Sequence, residues 1–351
     1  MPPSAKSPAQ RAKTDDSAKP RRVRGPKSAE TKPADALKEV TTENWVTRLP
    51  DPARFALAAV ASFTLCSAAY SFLSIWSKGE LEAIAKPVQP KKDVAILATW
   101  RIVELSLGWY GNITGYELAA LNVLSHGSFY FLSAVYYTVS PWTAGACLAI
   151  DTISAYVPLL LLRTPSNIES APSDVPNREI VADSGIKAST TVLSALVYSI
   201  SIFIALQSYL QTAFVIHFEG IPRVIPALDT LPAKLFVVSL AFLTGAAARS
   251  LIFVPFATTG KTVEDTEIDK FDPVEATLAE TLKWNLWGFT TRTKVAIVRT
   301  LGVMIVTWVN TFLQCTLRIK GVEPYGAALY ATAWAMPALL TGLALDLVGD
   351  A

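Results

Sequence analysis

The sequence is poor in the residues that most enzymes use for chemistry. It holds two histidines, His126 and His217, so a zinc site or a His-dependent hydrolase triad would have to be assembled from very little. The three cysteines, Cys66, Cys147 and Cys315, have no C-x-x-C spacing and fall in apolar runs, which predicts buried thiols rather than a disulfide framework or structural zinc. No G-x-S-x-G, H-E-x-x-H or Rossmann glycine pattern occurs. Gly260-Lys261-Thr262 resembles the end of a phosphate-binding loop, but Pro255 stands where that loop needs its first glycine. These gaps predict no catalytic residue of a soluble-enzyme type, no metal and no cofactor, and leave open only a membrane-embedded lipid-modifying enzyme.

Charge is scarce too. With 17% charged and 51% hydrophobic residues, a chain of 351 residues is too apolar for a soluble domain and too long for a single membrane span. Apolar runs of about 20 residues recur, the length that crosses roughly 30 Å of hydrocarbon at about 1.5 Å per residue. They lack the polar face that a soluble helix turns to water. The predicted fold class is therefore all-α, a polytopic transmembrane helix bundle, with spans near 53–76, 94–112, 116–138, 142–162, 189–212, 235–256, 295–315 and 327–348.

Segment 94–112 is ambiguous because Arg101 and Glu104 sit near its middle. Loop charge arbitrates. Eight spans divide the Lys and Arg outside the membrane 19 against 8, whereas seven divide them 15 against 13. Eight spans with both termini cytosolic are favoured; seven would lay 94–112 in the interface or make it re-entrant. The sequon Asn112-Ile113-Thr114 is expected to carry no glycan in either arrangement.

Residues 1–50 form a different region, rich in Pro, Lys, Ala and Ser and expected to be disordered because they bury too little apolar surface. Residues 1–51 hold eleven Lys and Arg against seven Asp and Glu, and a basic cluster of Arg21, Arg22, Arg24 and Lys27 could bind anionic lipid or simply fix orientation. Endoplasmic reticulum or nuclear envelope is the expected address. Nucleic acid is not an expected partner.

Asp51-Pro52, Ser140-Pro141 and Asp272-Pro273 each read as a cap followed by proline in the first turn. The third opens an amphipathic helix near 273–287. Glu275 stands in capping-box register, Val274, Leu278 and Leu282 recur at spacing four, and Trp284 and Trp287 lie near the end. Those features suit a helix on the membrane surface. Membrane lipids, and a protein held by the tail or by the 262–288 loop, are the expected partners.

The remaining signals are polar residues at membrane depth. Asp151 lies near the middle of its span, His126 near the middle of the preceding one, and the tight turn at Ser140 and Pro141 makes those helices antiparallel neighbours. A contact of Asp151 with His126 or Arg101 is therefore expected. Arg299, Thr307, Asn310 and Gln314 form a stripe on one face of span 295–315. Arg101, Arg249 and Arg299 balance Glu104, Asp151 and Asp346, which favours mutual pairing over a selective ion pore. Small residues at Ala327, Ala331 and Ala335, and at Thr191, Ser194, Ser201 and Ser208, read as packing ridges. From sequence alone a non-enzymatic scaffold or assembly factor is the favoured function, and a small-solute or ion transporter using Asp151, His126 and the Asn310 stripe is the alternative.

Overall fold

The computed structural model describes residues 49–86, 91–111, 113–137, 139–163, 176–222, 226, 228–268, 271 and 276–349. The tail cluster of Arg21, Arg22, Arg24 and Lys27 lies outside these residues, as do Asn112, the Asp272-Pro273 start and Val274. The side chain of Asp346 is also outside the description.

The chain is all-α. In order it forms α1 (Asp51–Ser77), the short α2 (Glu80–Ile84), α3 (Lys91–Tyr110), α4 (Gly115–Val135), α5 (Pro141–Leu162), the short α6 (Arg178–Ala182), α7 (Ser184–His217) and α8 (Leu231–Thr258). The short α9 (Val263–Ile268), α10 (Leu278–Trp287), α11 (Thr291–Arg318) and α12 (Pro324–Gly349) complete it. Among the described residues there is no strand, only isolated bridges at Ala85–Ile319 and Phe218–Val322. Seven helices, α1, α4, α5, α7, α8, α11 and α12, are long and apolar enough to cross a bilayer. The protein is a multi-pass integral membrane protein.

Helix α3 falls short of those seven in apolarity, not in length. Its 20 residues reach about 30 Å. At one end, Trp109 and Tyr110 meet the Phe55 ring near the start of α1, at 5.7 and 5.4 Å between centroids. At the other end, Asp93 pairs with Lys86 Nζ at 3.3 Å, and the Lys86 amide donates to the carbonyl of Arg318 at the far end of α11. Helix α3 thus runs antiparallel to α1 through the whole bundle.

Local chemistry sets the helix starts, although not always by the expected bond. Thr114 and Glu117 open α4 with a full capping box, at 3.2 and 2.7 Å. Asp51 does not cap α1 but is its first residue, and its carboxylate pairs with Arg54. The Ser140 side chain makes no cap bond to α5; its amide donates to Glu80 Oε2 at 2.8 Å. Within the loop expected to hold a surface helix, the described helix is α10, from Leu278. Residues 276 and 277 are not helical, and Thr277 caps α10 in a capping box with Glu280. Both hydroxyl and carboxylate are available there at the right spacing. Upstream, Asp265 accepts from the amides of Thr262 at 2.8 Å and Thr291 at 2.6 Å, which fastens this loop to the first turn of α11.

Helix α4 is the axis of the bundle. Every residue from Leu124 to Val135 is buried, so this helix touches protein all round. The α12 ridge of Ala327, Ala331 and Ala335 is buried as well, which allows close helix approach. Helix α1 is peripheral: Val60, Phe72, Ile75 and Trp76 are exposed on it, as residues facing lipid would be.

Candidate functional site

A polar cavity of about 460 Å³ lies among α1, α3, α4, α5 and α11. Its wall includes Tyr70, Arg101, Glu104, His126, Asp151 and Arg318. Helix α3 supplies the side that closes it against α4 and α5. Arg101 Nη1 donates to Asn122 Oδ1 at 2.8 Å, while Nη2 donates to the Asp151 carbonyl at 2.8 Å and to Ser154 Oγ at 2.9 Å. The guanidinium fork, with its donors in fixed directions, clasps three helices at once. Arg101 also pairs with Glu104 at 3.5 Å, the two lying three residues apart on one helix face.

The expected Asp151 contact is made differently. Arg101 reaches the backbone carbonyl of Asp151, not its carboxylate. The carboxylate is held by two tyrosines: Tyr70 donates to Oδ1 at 2.9 Å and Tyr130 to Oδ2 at 2.5 Å, and the two hydroxyls are 2.7 Å apart. His126 does not touch Asp151. Tyr130 lies level with Asp151 across the antiparallel pair, and His126 sits one helical turn away on the same face of α4. Its Nε2 is 3.9 Å from Glu104 Oε2, too far for a hydrogen bond, and its Nδ1 is 3.0 Å from Ser125 Oγ. Glu104 is buried with no hydrogen bond to either carboxylate oxygen.

The tyrosine–aspartate triangle has a definite proton count. Three short contacts join three groups, but the two hydroxyls supply two protons. While the carboxylate is ionised, one edge carries no hydrogen bond. A proton bound to the Asp151 carboxyl supplies the third, and the ring closes with each group both donating and accepting.

The stripe on α11 divides. Asn310 and Gln314 join the site: Asn310 Nδ2 donates to the Ser125 carbonyl at 2.9 Å, its Oδ1 accepts from Trp100 Nε1 at 3.1 Å, and Gln314 Oε1 accepts from Arg318 at 3.0 Å. Arg318 ends α11 with its guanidinium 5.0 Å from the centre of the Phe129 ring. Thr307 is buried, and its hydroxyl has no hydrogen-bond partner. Arg299 lies away from the cavity and pairs with Glu117 at 3.1 Å, next to the capping box of α4. Arg249 is likewise elsewhere, donating to the Val181 carbonyl at 3.3 Å.

Sequence reasoning missed Tyr70, Tyr130, Asn122 and Arg318. The first two look like ordinary aromatic residues of apolar spans, and Arg318 reads as a loop charge until α11 is seen to run on to it. Helix α10, by contrast, has its own apolar residues in the open: Leu278 is 89% and Leu282 59% exposed, with Trp284 and Trp287 also exposed. Comparison with protein-family models, curated proteins and solved structures gives no match, so the meaning of the site rests on its own geometry.

Proposed function

We propose that the bundle is a proton-linked carrier of a small polar solute, with Asp151 as the proton site. The observation that carries this reading is the Tyr70–Tyr130–Asp151 triangle on the wall of a charge-lined cavity, one proton short when the carboxylate is ionised. Ionisable groups at membrane depth cost free energy to bury and are retained where they do chemistry or transport. The cavity sets a carboxylate without hydrogen bonds, Glu104, on the same wall as the guanidinium of Arg318, and one charge of each sign suits a dipolar solute.

Proteoliposomes enclosing a pH-sensitive dye test it. Under an imposed proton gradient, cationic, anionic and zwitterionic small solutes are supplied in turn. The expected result is that zwitterions dissipate the gradient, and that Asp151→Asn abolishes this while protein yield stays normal. A gradient that survives every solute class, or an Asp151→Asn protein that is degraded, would make the residue structural.

A second reading, a non-enzymatic scaffold or assembly factor of an internal membrane such as the endoplasmic reticulum, is supported by the exposed apolar face of α10. Gentle-detergent purification of the full chain and of a chain lacking 262–288 distinguishes it. A stoichiometric partner lost with the deletion supports the scaffold; a protein that purifies alone supports the carrier.

A further inference from the structure

A second cavity, of about 250 Å³, opens among α4, α7, α8 and α12, away from the polar one. Its shape follows from one glycine. A Cβ on Gly245 of α8 would stand 2.6 Å from the Thr191 carbonyl oxygen and 2.7 Å from the Ala195 Cβ, so α7 and α8 touch backbone to backbone there. From that crossing the helices part, and Leu240 of α8 and Ile202 and Leu206 of α7 line the gap. Helix α7 also changes to a π turn at Leu206–Leu210, a feature that inserts an extra residue and recurs at functional sites in helices.

The chemistry of the wall is narrow. Among the described residues it carries no Asp, Glu, Lys, Arg or His. It does carry Tyr198, whose hydroxyl is buried without a hydrogen-bond partner. A buried hydroxyl left unpaired costs about 1–3 kcal/mol, which a bound oxygen would recover. Phe203 is exposed at the mouth, on the side of α7 that faces outward.

We propose that this cavity binds the oxygen-bearing end of an uncharged bilayer lipid, a long-chain alcohol or carbonyl compound, with its oxygen on the Tyr198 hydroxyl. The absence of ionisable groups selects against charged headgroups, which would lose hydration with nothing in return. Scaling from an apolar cavity of about 150 Å³ that holds benzene, this one takes roughly ten non-hydrogen atoms. The remaining chain extends past Phe203 into the bilayer. The site is independent of the carrier reading.

The test uses the full chain in nanodiscs and two photoreactive probes, a long-chain alcohol with a diazirine near its hydroxyl and the matching hydrocarbon without oxygen. The alcohol is expected to label the Tyr198–Leu206 segment several-fold more than the hydrocarbon. Tyr198→Phe should reduce alcohol labelling to the hydrocarbon level, and Glu104→Gln should leave it unchanged. Ile202→Trp should fill the space and remove labelling by both probes; should that variant fail to fold, Tyr198→Phe still decides. Equal labelling by the two probes, or alcohol labelling indifferent to Tyr198→Phe, would overturn the proposal, as would labelling spread evenly over the lipid-facing helices.

Discussion

The two cavities are two ways of opening space between membrane helices. The polar one is lined by side chains that need partners: a guanidinium bound to two neighbouring helices, a carboxylate bound to two tyrosines and a second carboxylate without hydrogen bonds. The apolar one is shaped by backbone geometry, a glycine crossing and a π turn, and among the described residues only the Tyr198 hydroxyl and the Trp334 indole N–H give it buried polar atoms without a partner. The first depends on charge. The second depends on shape.

The contrast predicts unequal responses to similar substitutions. Arg101→Leu should have the largest effect, about 3–5 kcal/mol of stability, because it leaves Glu104 buried without its countercharge and the acceptors on α4 and α5 without a donor. Thermal unfolding in detergent reads it, and Arg101→Leu combined with Glu104→Leu should be less destabilised than Arg101→Leu alone. The next test removes one hydroxyl from each cavity. Tyr130→Phe should cost about 1–3 kcal/mol, since it strips a donor from a buried carboxylate, whereas Tyr198→Phe should be neutral or slightly stabilising without added lipid. Equal losses would erase the distinction drawn between the cavities. Trp100→Phe, which removes one interhelical bond to Asn310, should cost only about 0.6 kcal/mol by the same assay.

The smallest effect is expected outside the membrane. The amides of Thr262 and Thr291 hold the Asp265 carboxyl down at about 2. A folded-state value below the usual carboxylate range means that its contribution is present at neutral pH and is lost only as pH falls through about 2. The loop-to-α11 link should therefore survive acidification to pH 4, a value above that point. Amide hydrogen exchange at Thr291 should be unchanged between pH 7 and 4 after correction for intrinsic rates, and faster in Asp265→Asn.

The fold class was legible because lipid imposes one demand, long helices with every backbone group paired, and composition records it directly. Helix α3 shows where that legibility ends. Its charges depress hydropathy, yet they are what attaches it to α4 and α5, so the feature that obscures the span is the one that secures it. The site was half legible. Asp151, Arg101, Glu104, His126, Asn310 and Gln314 stand out as polar residues in apolar surroundings, and the cavity or its hydrogen-bond network includes all six. Their pairings depend on register between helices, which one residue of slide changes, and no spacing within a single helix encodes that. Tyr130 rather than His126 faces Asp151 for this reason. The cap of α10 was hard to read for another reason: two capping signals lie five residues apart, and the sequence does not rank Asp272-Glu275 against Thr277-Glu280.

The Arg101 clasp also sets an order of construction. Ser154, its farthest acceptor, is 53 residues downstream. At about 5–20 residues per second, a ribosome makes that acceptor roughly 3–10 seconds after Arg101 has emerged. During that interval the guanidinium has Glu104 on its own helix and, once α4 is made, Asn122 as partners, and lacks its two acceptors on α5. The clasp is therefore complete only after α5 is made, the last of the three helices that it ties together.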